Sequence, residues 1–232
     1  MHWKYCYRSP SLNIISEFSH LFFPGCQTQI VTPIEFNSEM KSRVNAYTKQ
    51  TQYWTTNLET HLKKMKRKRH NHQELFCVGI TMVDIYPDPK WNFVYGEASP
   101  EEGVGIYSFA RFDPLFYNSS PEALQKPCTK EEQVLILRRA VSTYVHEVMH
   151  LFGLEHCIYY LCLMNGANCE SEMDGTLLYL CPVCLRKMHL LFGDKNYKII
   201  EMYQGLMELS RRVGLEEDAK WYENRLKIIQ SD

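Results

Sequence analysis

The chain has 232 residues, 45% of them hydrophobic and 23% charged, with a formal net charge of -1 at pH 7. That is enough chain to bury a substantial core, and no global field favours nucleic acid or a membrane surface as partner. No apolar run approaches the ~20 residues that span a bilayer, and the cluster from Ile14 to Phe23 is too broken by Ser16, Glu17, Ser19 and His20 to predict an export signal.

Ser9-Pro10 predicts an N-cap and the first turn of a helix, whose apolar positions Ile14, Ile15, Phe18, Leu21 and Phe22 stop at Pro24-Gly25. Gln27 to Phe36 predicts a strand interrupted by Pro33, and Arg43 to Tyr53 an edge strand or a loop. Thr56 with Glu59 has the capping-box pattern and predicts a helix to about Met65. Six basic residues follow between Lys63 and Arg69; a solvated helix end is the plainer reading, a nuclear-import or nucleic-acid patch the sharper one. The run interleaves no aromatic residue for base stacking, which favours the plainer reading. Leu75 to Tyr86 predicts the strongest strand, ended by Pro87-Asp88-Pro89, with further strands at Trp91–Glu97 and Val104–Phe112. Asp113 to Pro127 reads as loop and contains Asn118-Ser119-Ser120, a glycosylation pattern that matters only in an exported chain. Thr129 with Glu132 repeats the capping box, and Val134, Leu137, Val141, Tyr144, Val145, Val148 and Phe152 give an amphipathic helix over Glu131–Phe152. Cys157 to Cys184 is irregular; Asn196 to Gln230 predicts a helical hairpin broken at Gly214.

The segment with the clearest chemistry runs from His146 to His156 as HEVMHLFGLEH. Two histidines four apart share a helix face, so both imidazoles can reach one ion. Glu147 beside them can take a proton from a metal-activated water. Gly153 can adopt a left-handed conformation and end the helix, so that His156 returns as a third ligand. Three ligands leave a fourth position for water, the signature of a catalytic site. HExxH alone arises by accident; the capped helix, the glycine and the third histidine complete the extended metzincin pattern. Met164, in Leu163-Met164-Asn165-Gly166, is either the methionine of a metzincin Met-turn or a plain core residue.

Nine cysteines are many for this length, and with no export signal predicted they point to a reducing compartment and a metal site. Cys157 with Cys162, and the C-x-x-C pair Cys181 and Cys184, match a closed structural zinc site. A disulfide pairing and a redox role are the alternatives; no thioredoxin-like βαβ pattern surrounds the C-x-x-C. The run from His146 through Cys157, Cys162, Met164, Cys181 and Cys184, together with the LFCVGITMVDIYPDPKWNFVYGEAS segment, resembles the archaemetzincins. The resemblance covers about residues 73 to 192. It implies a catalytic zinc on His146, His150 and His156, Glu147 as general base, a structural zinc on Cys157, Cys162, Cys181 and Cys184, and the Met-turn role for Met164.

The expected fold is α+β: a metzincin-like mixed sheet with an active-site helix, a small four-cysteine, zinc-stapled lower part and a C-terminal helical hairpin. One domain over 1–232 is expected, divided into 1–153, 154–195 and 196–232. The expected function is a zinc metallopeptidase with two zinc ions per chain, acting on peptides or proteins, with aminopeptidase-like action on small peptides as one form. Val104–Phe112 is the candidate edge strand for substrate, Gly103 and Gly105 allowing close approach; glycines at a bulge are the equal alternative. The competing readings are a zinc-stabilised module that binds protein or nucleic acid, and a zinc protein with intact ligands but no useful turnover. Neither a nucleic-acid partner nor a membrane is expected, and the location is expected to be intracellular and cytoplasmic, with the nucleus open through the basic run.

Overall fold

The long helix carrying the histidines starts where the local chemistry says it should. Thr129 Oγ1 accepts from Glu132 N at 3.2 Å and Glu132 Oε2 accepts from Thr129 N at 2.9 Å, so the capping box is complete. The structure, a computed structural model, describes residues 8–117, 126–175 and 178–231. Among these are six strands and seven α-helices, an α+β fold with two small sheets in place of the single mixed sheet expected. The glycosylation pattern at 118–120 lies outside the described residues. The helices are α1 (Leu12–Phe22), α2 (Thr55–Arg69), α3 (Lys130–Leu151), α4 (Glu170–Asp174), α5 (Pro182–Phe192), α6 (Ile199–Arg212) and α7 (Glu216–Ser231). The strands are β1 (Ser42–Val44), β2 (Thr51–Trp54), β3 (Cys77–Thr81), β4 (Asp84–Tyr86), β5 (Gly96–Ser99) and β6 (Val104–Ser108).

The chain divides into two compact units. The first comprises 1–9, 32–136 and 146–153. In it β2 pairs antiparallel with β1 and parallel with β4, while β6 lies between parallel β3 and antiparallel β5. Leu58 and Leu62 of α2, one helical turn apart, pack on Cys77, Ile85, Val104 and Ile106. Gly79 makes this possible: a Cβ there would stand 2.8 Å from Ile106 Cδ1 and 3.0 Å from Leu62 Cδ1.

Several strand expectations change for tertiary reasons. The expected strand over Leu75–Tyr86 is broken at Met82-Val83 into β3 and β4, which belong to different sheets. Thr81 Oγ1 accepts from Val83 N at 3.0 Å, turning the chain, and Asp84 is then buried against Arg111 (2.8 and 2.7 Å) and Gln52 (2.7 Å). The strand expected over Val104–Phe112 ends at Ser108, because Ala110–Phe112 forms a 3-10 turn that brings Arg111 to Asp84. Residues 91–95 form no ladder beyond a Val94–Ile85 bridge; the Arg43 guanidinium takes the Pro89, Trp91 and Asn92 carbonyls instead. Gln27–Phe36 is not a strand: Ile30, Val31 and Ile34 are exposed and Pro33 has no N–H to give a ladder. Helix α2 has no capping box, since the chain passes from β2 into the helix at Trp54, and it runs past Met65 to Arg69. Ser11, not Ser9, caps α1.

The second unit comprises 10–31, 137–145 and 154–232. Helices α6 and α7 form the expected hairpin around Gly214, whose φ is +86°. Its interior is aromatic, with Tyr203 and Tyr222 centroids 5.4 Å apart and Trp221 stacked on Tyr179 at 3.5 Å. Arg138–Asp218 (2.9 Å) and Arg139–Asp174 (2.6 Å) attach the middle of α3 to α7 and α4.

Candidate metal centres

The last turns of α3 present His146 and His150 one above the other. Their Nε2 atoms are 2.9 Å apart and their rings meet edge-on, 81° between planes. The helix ends at Leu151, and Gly153 N bonds to His150 O at 2.8 Å with φ +87°, a conformation that favours glycine. The chain reverses and His156 arrives three residues later. One ring nitrogen from each of the three histidines lies within 4.8 Å of the others.

Glu147 does not stand alone beside them. A Cβ on Gly96 of β5 would be 3.1 Å from Glu147 Cδ and 3.2 Å from its Cγ, so this glycine makes the room that the carboxyl occupies. Burial first, and then the charge of Glu97, push the Glu147 carboxyl up to about 7. Sequence reasoning missed Gly96; the signal was a glycine at the start of a strand, which marks a close approach. It named Gly103 and Gly105 instead, with glycines at a bulge as the equal alternative. Those positions are filled from within: Gly105 by the Tyr107 ring, Gly103 by Lys66 and by Leu75 O at 2.7 Å. The expectation that Val104–Phe112 is an edge strand is corrected too, because β6 is the buried central strand and β3 and β5 are the edges.

The four cysteines Cys157, Cys162, Cys181 and Cys184 are buried with their sulfurs within 4.8 Å of one another, and none is in a disulfide. The Cys157 and Cys181 sulfurs are 3.6 Å apart, far beyond an S–S bond of about 2.05 Å and near the ~3.8 Å of two thiolates on one tetrahedral zinc. Backbone N–H groups of Cys181, Met164 and Cys184 point at cluster sulfurs, at 3.2 to 3.5 Å. Burial raises the Cys162 thiol to about 11; burial and the neighbouring thiols push Cys184 well above the ordinary range. Against its burial, hydrogen bonds from the Tyr159 and Tyr160 backbone and from neighbouring thiols lower the Cys157 thiol to about 7. Four buried sulfurs this close together are a donor set that fits zinc. Met164 is fully buried in the turn between Cys162 and Asn165, and its carbonyl accepts from Cys157 N at 2.8 Å.

The basic run lies mostly at the surface, with Lys64, Arg67, Lys68 and Arg69 exposed and Lys63 and Lys66 half-buried, and several of its charges are engaged by the fold. Lys66 Nζ donates to the carbonyls of Leu75 (2.7 Å), Glu102 (3.2 Å) and Gly103 (3.2 Å). Lys63 faces Glu59 at 3.8 Å, Arg67 faces Glu102 at 3.3 Å, and Arg69 pairs with Glu74. No helix among the described residues is long and apolar enough to cross a membrane.

The description "Peptidase family M54" matches residues 26–190. Mouse Archaemetzincin-2 is 36% identical over 208 residues, which is 82% of this chain and 56% of that protein. Mouse Archaemetzincin-1 is 29% identical over 222 residues, 87% of this chain and 43% of that protein. The chain thus spans about half the length of these curated relatives. The fold is shared with a zinc-dependent peptidase from Methanocorpusculum labreanum (TM-score 0.53, 24% identity, 77% of this chain and 92% of that one). It is shared likewise with the archaemetzincin from Archaeoglobus fulgidus (TM-score 0.51, 21% identity, 77% and 94%). This chain belongs to peptidase family M54, the archaemetzincins.

Proposed function

We propose that this chain is a zinc metallopeptidase of metzincin-like architecture. Its catalytic zinc would be held by His146, His150 and His156, and a structural zinc by Cys157, Cys162, Cys181 and Cys184. The reading rests on one observation above all: the paired imidazoles of α3 adjoin in sequence a carboxyl group for which Gly96 leaves room. Bound there, zinc would supply Lewis acidity, making a water more acidic and a peptide carbonyl more electrophilic. Glu147 would accept the proton released as the water oxygen bonds to the carbonyl carbon, and return it to the amine nitrogen as the C–N bond breaks. Edge strand β5 would take the substrate backbone in extended form, by strand addition. Met164 would form the Met-turn. Small peptides cleaved from their amino ends are one substrate class, and the buried free thiols suit a reducing, cytoplasmic setting.

Glu147→Gln tests the reading. The variant should keep two zinc ions per chain and lose hydrolysis of a peptide library by at least ~100-fold, the usual contribution of a positioned base. Hydrolysis within threefold of wild type would remove Glu147 from the mechanism. Wild type that holds both zinc ions and cleaves nothing would leave the binding-module reading in its place.

A further inference from the structure

The segment after His156 contains a clamp that the ligand assignments do not use. Asn165 Nδ2 donates to Cys157 O at 2.7 Å and to Tyr160 O at 3.0 Å, while its Oδ1 accepts from Cys162 N at 2.8 Å. Asn165 N also bonds to Cys162 O at 3.0 Å. One amide side chain therefore closes the loop whose two ends are cysteines of the buried cluster. The next residue, Gly166, lies against the ring of His156: a Cβ there would stand 3.3 Å from both Cε1 and Nδ1, and 3.6 Å from Nε2. His156 is exposed, three residues beyond the helix-ending Gly153, and precedes Cys157 directly. Two neighbours on the cysteine side therefore adjoin it, the peptide it shares with Cys157 and Gly166.

We propose that Asn165 and Gly166 are positioning residues for His156 that raise the metal affinity of the histidine site. The inference rests on the zinc reading above. A ligand held in direction before the metal arrives loses less freedom on binding, and outer groups of this kind typically carry 10–100-fold in metal affinity. Asn165 contributes by holding the Cys157–Cys162 loop in one shape. Gly166 contributes by leaving room for the imidazole, which a methyl 3.3 Å from Cε1 and Nδ1 would displace by a few tenths of an ångström.

The test uses the full chain with zinc kept on the cysteines and the histidine site emptied by a mild chelator. Co(II) is titrated into wild type, Gly166→Ala and Asn165→Asp, and its visible absorption read. Retained zinc and Tm are measured beside it. Asn165→Asp keeps the acceptor for Cys162 N and loses both donations; Gly166→Ala adds one methyl. Both variants should keep one zinc and a Tm close to wild type, and bind Co(II) at least ~tenfold more weakly. Co(II) affinity within twofold of wild type in both variants would overturn the proposal. So would loss of the retained zinc in step with Co(II) affinity, because the turn would then only support the cysteine site. If wild type itself takes up no Co(II), the zinc reading of the histidines fails first and the inference falls with it.

Discussion

Gly96→Ala asks whether the room beside Glu147 matters for catalysis. The added methyl carbon would sit 3.1 Å from Glu147 Cδ, 3.2 Å from its Cγ and 2.8 Å from Tyr107 Cδ1. Relaxed carbon contacts lie at about 3.5–4.0 Å, so the carboxyl or the strand must move by roughly 0.5–1 Å. Misplacing a catalytic group by about an ångström can cost on the order of 100-fold. We therefore expect kcat/KM to fall 10- to 100-fold, about 1.4–2.7 kcal/mol of transition-state stabilisation. Overpacking should cost about 1–3 kcal/mol of stability. The three atoms nearest to this methyl belong to Tyr107 and Glu147 and none to a histidine, so zinc content should stay at the wild-type level. The assay is steady-state hydrolysis of a fluorogenic peptide, with zinc analysis and urea unfolding on the same samples. Gly175→Ala is the control, since a Cβ there meets nothing nearer than a 3.4 Å backbone contact. A kcat/KM for Gly96→Ala within twofold of wild type would refute the packing argument. Loss of zinc in parallel with activity would show that the site collapses rather than that the base is displaced.

Breaking the Asp84–Arg111 pair should be among the most damaging single changes in the first unit, because both partners are almost fully buried. Arg111→Met leaves an uncompensated carboxylate against Gln52 and should cost about 3–5 kcal/mol in urea unfolding, whereas replacing both partners by apolar residues of similar volume should cost less. The Glu132 carboxyl is held below its usual range by the Arg8 guanidinium and the Thr129 N–H. Its contribution to stability is present above the ordinary glutamate pKa and is lost as the pH falls through the lower folded value. The stability difference between wild type and Glu132→Gln should therefore be level at neutral pH and shrink in acid; a difference that grew in acid would reverse the sign of the argument. Gly153→Ala forces an ordinary residue into a left-handed conformation and should cost about 1–2 kcal/mol, read as a lower Tm.

What was legible in the sequence is what depends on near neighbours. The cap at Thr129, the helix it opens, the i, i+4 histidines and the break at Gly153 lie within one stretch of chain, where periodicity and turn chemistry decide. The meeting of the four cysteines was legible for a similar reason: they stand in the sequence as two short pairs. The sheets were not. Leu75–Tyr86 reads as one strand because nothing in those residues announces that Asp84 will be drawn to Arg111, 27 positions away. Gly96 was missed because the group that needs its missing side chain, Glu147, belongs to another element far along the chain. Lys66 read as part of a charged surface until three carbonyls from other segments were found around its ammonium. Each failure has the same origin, a long-range contact that overrides a local preference.

The central claim is that two separate zinc sites exist and that only the histidine site carries hydrolysis. The most direct test is zinc stoichiometry on wild type and His150→Ala, with peptide hydrolysis assayed on both. The account predicts two zinc ions in wild type, one in the variant, and hydrolysis lost with the ion removed. One zinc ion in both proteins, with no hydrolysis by either, would contradict it and leave only the cysteine site.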